Sequence, residues 1–228
     1  MHPAPPVTPP DAEEDIKAEI TDADKSEPIY NIDDINSGYL ILVNKTNEID
    51  RDYKPGDLSG IEYYAADRSP EGRYMRTEAA NAFHRLADAA REQGLELVVT
   101  TAYRSYGFQS TLYNNYVARD GQEAADKYSA QPGKSEHQTG LAADLSSPSV
   151  NYQLTLDFAD TKEGQWLAEN AHLFGFIIRY PEGKEDITGY QYEPWHIRYT
   201  GLTAAEYIYN NNITLEEYLK LLSEQLEE

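Results

Sequence analysis

The apolar residues of this 228-residue chain come in short runs at irregular spacing. "GYLILVNK" (38–45), "LELVVTTAY" (95–103), "FIIRY" (176–180) and "HIRYT" (196–200) each have the length and the aliphatic and aromatic content of one strand. Between them lie helical patterns. "TEAANAFHRLADAAREQG" (77–94) puts Phe83, Leu86, Ala87 and Ala90 on one face, with Thr77 as its cap and Gly94 as its stop. Residues 108–119 predict a second helix, and "KEGQWLAENAHLFG" (162–175) a third that ends on glycine. Two short helices close the chain, each read as opening on a capping box: Thr203 with Glu206, and Thr214 with Glu217. There is no strand–helix–strand rhythm and no internal repeat. The expectation is an α+β domain with a small, largely antiparallel central sheet flanked by helices.

The ends differ from the middle. Five of the first ten residues are proline, and residues 1–28 carry eight acids and two bases. Such a stretch buries too little to offset the entropy of ordering, so 1–28 is expected to be a disordered linker and 29–228 the folded domain. Residues 203–228 hold six acids and one base, and the whole chain carries a formal charge of −21. That charge opposes binding to nucleic acid through phosphates and attraction to an anionic membrane. No run approaches the length of a membrane span. No signal peptide is visible after Met1, which leaves a cytosolic protein or a chain that starts after a removed signal or anchor. Cysteine is absent, so any metal site must be built from His, Asp or Glu.

Few residues are available for such a site. Of five histidines, His2 lies in the linker, His84 on an amphipathic helix, and His172 near a helix C-terminus, where a positive ring suits the helix dipole. His137 and His196 remain. "SEHQTGLAAD" (135–144) is too polar for a buried strand and carries Gly140 where a helix would not. On an ideal strand His137 and Asp144 would face opposite ways, but a turn at Gly140 lets both point at one centre. In "EPWHIRY", Pro194 argues for a turn into a strand, from whose entrance Glu193 and His196 project together. His137, Asp144 and His196 then form a three-ligand zinc set with an open fourth position. Glu193, off the metal, is placed to act as general base. Spacing alone leaves a second reading open, a polar loop satisfied by its own hydrogen bonds.

"SEHQTGLAAD" resembles the S-x-H-x-x-G-x-A-x-D signature of the zinc D-Ala-D-Ala carboxypeptidases, the VanY type with its LD-carboxypeptidase relatives. "YEPWHIRY" resembles their E-x-W-H signature, in the same order and at similar separation. "AYRSYGFQ" (102–109) is similar to the segment that holds substrate, and residues 166–190 to the stretch before the second motif. The resemblance covers about residues 60–202. It implies Zn2+ on His137, Asp144 and His196, Glu193 as catalytic base, Arg104 as a catalytic and substrate-binding residue, and Gln109 and Ser135 as further substrate contacts. It also implies a sheet that carries the zinc, peptidoglycan stem peptides as substrate, and an extracytoplasmic setting at the cell wall or outer membrane face. The expected unit is a monomer whose catalytic domain is not membrane-embedded, with any anchor outside it and residues 1–28 as a stalk. The expected reaction is removal of the terminal D-alanine from pentapeptide stems (D,D). L,D-cleavage of tetrapeptide stems is the alternative. A wall-binding module without turnover is the reading from another class, and the intact Glu193 speaks against it.

Overall fold

The computed structural model describes residues 29–65 and 69–226, and the stretch read as a linker lies outside them. In chain order the helices are α1 (Ile32–Asn36), α2 (Thr77–Glu92), α3 (Tyr106–Asp120), α4 (Gln122–Tyr128), α5 (Lys162–Asn170), α6 (Glu185–Thr188), α7 (Leu202–Asn211) and α8 (Leu215–Leu226). The strands are β1 (Leu58–Gly60), β2 (Tyr74–Arg76), β3 (Val98–Thr101), β4 (Ala142–Ser146), β5 (Phe176–Tyr180) and β6 (Glu193–Tyr199). β1 and β2 form a small antiparallel pair. The other four form one antiparallel sheet in the order β3-β4-β6-β5. The α+β architecture is as expected.

The central sheet has two unlike faces. Side chains alternate along a strand, and Leu145, Phe176 and Ile197 enter a large apolar core with Phe83 and Leu86 of α2 and Leu167 of α5. Each fully buried side chain of this size contributes about 1.5–3 kcal/mol. α2 forms because its apolar positions recur on one face, with Glu78 in the first turn and Arg91 in the last, both matched to the helix dipole. The alternate positions, Asp144, His196, Arg198 and Arg179, are buried too but polar or charged. Ile177, also from this set, joins a second apolar cluster with Ile208 of α7 and Tyr218 and Leu222 of α8.

Four local expectations are corrected. Residues 38–45 are not a strand. The segment runs between the two apolar clusters, with Tyr39 and Ile41 against one and Leu40 and Leu42 against the other. The period-2 pattern therefore reports two-sided burial rather than a ladder. The carbonyls of Tyr39 and Ile41 accept hydrogen bonds from Arg198 Nη2 instead, at 2.9 and 2.7 Å. Thr77 does not cap α2; its hydroxyl donates to the Asp57 carbonyl at 2.7 Å, and Arg76 is the cap residue. The Thr203 box does not form either, because Gly201 occupies the cap of α7. Pro194 lies inside β6 rather than before it, and the β5–β6 pairing shifts register between Ile178 and Tyr180. An irregularity of this kind is where a strand tolerates proline. The Thr214 box does form: Thr214 N–H donates to Glu217 at 2.8 Å, and Glu217 N–H to the Thr214 hydroxyl at 3.2 Å.

Candidate metal centre

The site begins at the turn after α4. Residues Glu136–Thr139 make one 3-10 turn, closed by Gly140 at φ +70°. A side chain there would be strained by the left-handed backbone, and its Cβ would press on Leu58, Pro55 and Arg76 at 3.1–3.2 Å. The glycine reverses the chain from the turn into β4, so His137 and Asp144 reach one point despite their spacing. On the neighbouring strand, the β4–β6 register pairs Asp144 directly with His196. Cross-strand partners lie within side-chain reach. The polar run at 135–144 is thus a turn feeding a buried strand.

The geometry suits a metal. Ligand atoms of His137, Asp144 and His196 all lie within 4.8 Å of one another. His137 Nε2 is 3.3 Å from Asp144 Oδ2, and His196 Nδ1 is 2.9 Å from Asp144 Oδ1. Ligands bound tetrahedrally at about 2.0–2.1 Å lie roughly 3.3 Å apart, so these separations are close to those zinc requires. His137 Nδ1 meets the Ala102 carbonyl at 2.7 Å. That bond takes the ring proton and leaves Nε2 as the free donor. Burial tends to raise the Asp144 carboxyl, but the two imidazoles hold it well below the usual carboxylate range. It remains an anion, as a ligand must. A hard/borderline set of two imidazoles and one carboxylate, without thiolate, fits zinc.

Glu193 and Arg104 flank the ligands. The Glu193 carboxylate comes within 3.7 Å of His196 Nδ1 and is not part of the ligand cluster. Burial raises its pKa to about 7, against the opposing pull of His196. Arg104 follows β3, and its N–H donates to the His137 carbonyl at 3.1 Å. Its guanidinium lies 3.9 Å from Asp144 Oδ2 and donates through Nη1 to Gln109 Oε1 at 2.7 Å. Its Nε is buried without a partner.

Arg104, Ser135, Glu193 and the three candidate ligands line one cleft of about 190 Å³. Tyr116, Leu154 and Trp195 add apolar wall. Gln109 is elsewhere. It is 1% exposed, off the cleft wall, and its amide donates to the Ala130 carbonyl at 2.6 Å. Its contact with the site is the bond that orients Arg104. Among the other histidines, His84 accepts a hydrogen bond from the Glu62 N–H at 3.1 Å. His172 stacks on Tyr209 at 3.7 Å, and burial lowers its pKa, which opposes the charged role expected from the helix dipole.

Sequence reasoning missed Glu136, Arg179 and Arg198, which pack behind His196 with no side-chain exposure. A signal was present. Arg179 and Arg198 are single charges in the apolar strands "FIIRY" and "HIRY", and a buried charge demands a partner.

Comparison with known proteins identifies relatives of this chain. A family model described as VanY, D-alanyl-D-alanine carboxypeptidase, matches residues 72–202. The chain is 44% identical over 204 residues to a putative carboxypeptidase, YodJ, of Bacillus subtilis (strain 168), covering 89% of this chain and 73% of that protein. The LD-carboxypeptidase LdcB, a structure described as revealing the basis of peptidoglycan recognition, superposes with a TM-score of 0.77 at 45% identity. That match covers 80% of this chain and 86% of LdcB. A mutant of the vancomycin-resistance D,D-pentapeptidase VanY, from a VanB-type cassette and in complex with Zn(II), superposes with a TM-score of 0.65 at 35% identity. It covers 79% of this chain and 98% of its own.

Proposed function

The chain belongs to the VanY D-alanyl-D-alanine carboxypeptidase family, and from that premise we propose that it is a zinc carboxypeptidase that removes the terminal D-alanine from peptidoglycan stem peptides. The observation that carries the reading is the site's division of labour: three convergent candidate ligands, with one carboxylate beside them and outside the set.

His137 Nε2, Asp144 and His196 Nδ1 would hold the zinc. Zinc bound there supplies Lewis acidity toward the attacking water and the scissile carbonyl. Glu193 takes a proton from the water and returns it to the departing amine, for which a carboxyl poised near neutral is suited. Arg104 offers a fork to the substrate's terminal carboxylate or to the charge growing on the carbonyl oxygen. It is preset by Gln109, so Gln109 is assigned here to positioning Arg104 rather than to touching substrate. Ser135, on the cleft wall, is a further polar contact for a peptide. The aromatic wall covers the penultimate residues.

D,D-cleavage is the primary reading. L,D-cleavage is a second, favoured by the similarity to LdcB. The two substrates differ in the residue before the scissile bond, so the part of the cleft wall that meets this residue decides between them. A stem-peptide substrate places the enzyme outside the cytoplasm, at the cell wall or outer membrane face. None of the helices among the described residues is long and apolar enough to cross a membrane. Residues 1–28 serve in this reading as a stalk and 29–228 as the catalytic domain, acting as a monomer without nucleic-acid partners.

The test is incubation of the zinc-loaded protein with defined tetra- and pentapeptide stems, followed by mass spectrometry. Loss of one alanine from the pentapeptide supports the primary reading, and loss from the tetrapeptide alone supports the second. No loss from either would leave the non-catalytic wall-binding module.

A further inference from the structure

Glu136 stands next to a candidate ligand, buried at the wall of the cleft. Its Oε1 accepts from Arg179 Nε at 2.7 Å and from Arg198 Nη1 at 2.8 Å. Arg179 spends its other two nitrogens on Glu216 of α8, as a fork at 2.8 and 2.6 Å. Arg198 spends its remaining donors on the carbonyls of Tyr199, Tyr39 and Ile41. The four side chains sum to zero charge, and every guanidinium nitrogen has a partner. One atom of the group is left over. Glu136 Oε2 is buried without a partner, and so is His196 Nε2, which faces it at 3.6 Å.

A ligating imidazole donates its second N–H to an acceptor that fixes tautomer and ring angle, and loss of that acceptor typically costs about 10–100-fold in metal affinity. His137 has such an acceptor in the Ala102 carbonyl. For His196, Glu136 Oε2 is the acidic oxygen that faces Nε2. A proton on Nε2, shared with Glu136, leaves the lone pair on Nδ1, 2.9 Å from Asp144 Oδ1, where the ligands converge.

We propose that Glu136 is a positioning residue that holds His196 in the Nε2–H tautomer, and that the Arg179–Glu216 fork extends this support to the C-terminal helix, making α8 part of the metal site's scaffold. Two guanidiniums hold the other oxygen of Glu136 and so keep Oε2 facing His196, and Arg179 is in turn aimed by Glu216. The proposal rests on the zinc reading above, but its tests read metal binding and ring state rather than turnover. A protein that binds zinc as described yet cleaves nothing would sink the function and leave this inference standing.

The first test uses the unaltered, zinc-loaded protein with 15N-labelled histidine. Long-range proton–nitrogen spectra should show His196 protonated at Nε2 and metal-bound through Nδ1. A proton at Nδ1 would overturn the role of Glu136. The second compares Glu216→Gln with Thr214→Ala, which loosens the start of α8 without touching Arg179. Zinc affinity is measured by chelator competition, with folding followed by circular dichroism on the same samples. Glu216→Gln should weaken zinc about tenfold, and Thr214→Ala should leave it within about twofold. Equal losses in the two variants, or unchanged affinity in Glu216→Gln, would overturn the link to α8. If Glu216→Gln does not fold, Glu216→Asp replaces it: the shortened fork should still weaken zinc severalfold, and wild-type affinity would again overturn the link.

Discussion

The two faces of the central sheet are built from the same strands and are equally buried, yet they are held by different physics. Leu145, Ile197 and Phe176 on one face are stabilised by leaving water, and their contribution scales with area. Asp144, His196, Arg198 and Arg179 on the other are stabilised only when every partner is present, because a buried charge left alone costs more than a pair returns. The apolar face tolerates similar shapes. The charged face requires a complete set, and the cluster that opens on the cleft is left incomplete within the described residues. Function sits on the second face for that reason.

The sharpest way to separate the faces is Glu193→Ala. It should lower turnover by about 100- to 10,000-fold while zinc content by elemental analysis stays at the unaltered level. Leu145→Ala should lower stability while the folded fraction turns over normally. Near-normal turnover in Glu193→Ala would mean another group takes the proton.

The requirement for completeness is tested by Arg198→Leu, which leaves Glu136 short of one guanidinium and removes the arginine donor from the carbonyls of Tyr199, Tyr39 and Ile41. It should cost about 3–5 kcal/mol in urea unfolding, at least as much as the roughly 2–5 kcal/mol expected for Leu145→Ala. A cost under about 1 kcal/mol, a surface mutant's value, would erase the distinction between the faces.

Arg104→Lys keeps the charge and loses the fork. The substitution should lower the rate on peptides with a free C-terminus by about 100- to 1,000-fold. It should also shrink the preference for those peptides over their amides. Preference intact with rate lost would mean that Arg104 serves the oxyanion and that the carboxylate is read elsewhere, with Ser135 as the next candidate.

Metal removal probes the charged face as a whole. At zinc one hundred times above its dissociation constant, binding adds about 2.7 kcal/mol to stability, so chelation should lower the melting temperature. His172→Ala should show the same drop on chelation, and His196→Ala should show none. A full chelation shift in His196→Ala would remove that residue from the ligand set.

The smallest effect compares two sequence signals that look alike. Thr214→Ala breaks a capping box that exists and should cost about 1 kcal/mol. Thr203→Ala breaks none and should stay within about 0.5 kcal/mol. Equal costs in thermal unfolding would mean that the box pattern, rather than its geometry, carries the stability.

Local patterns were legible where the physics is local. α2, α3 and α5 follow from helical spacing over several turns, and β3 and β5 from short apolar runs between breakers. The candidate ligands were legible because His137 and His196 are scarce residues in polar stretches that core packing does not account for. Gly140 marked the turn between them. The alternating apolar pattern at 38–45 was legible, but that it belongs to a turn-containing segment between two clusters and not to a strand was not, since that depends on which segments fold against it. Gln109 was read as a substrate contact from its place in "AYRSYGFQ". The structure puts its amide inside the protein, where Ala130 and Arg104 take its hydrogen bonds.

The sequence by itself determined the α+β class, the chemistry available without cysteine, and the identity of the residues able to gather at a metal. It did so because propensity, periodicity and side-chain chemistry belong to single residues and their near neighbours. Only the tertiary structure decided that Asp144 stands opposite His196, that the Gln109 amide bonds Arg104 and the Ala130 carbonyl, and that Glu216, far along the chain from His137, is linked through Arg179 to Glu136 at the back of the site. Those outcomes depend on strand register and on pairing among buried charges far apart in the chain. Such pairings lower the free energy only once the fold has brought them together and excluded water.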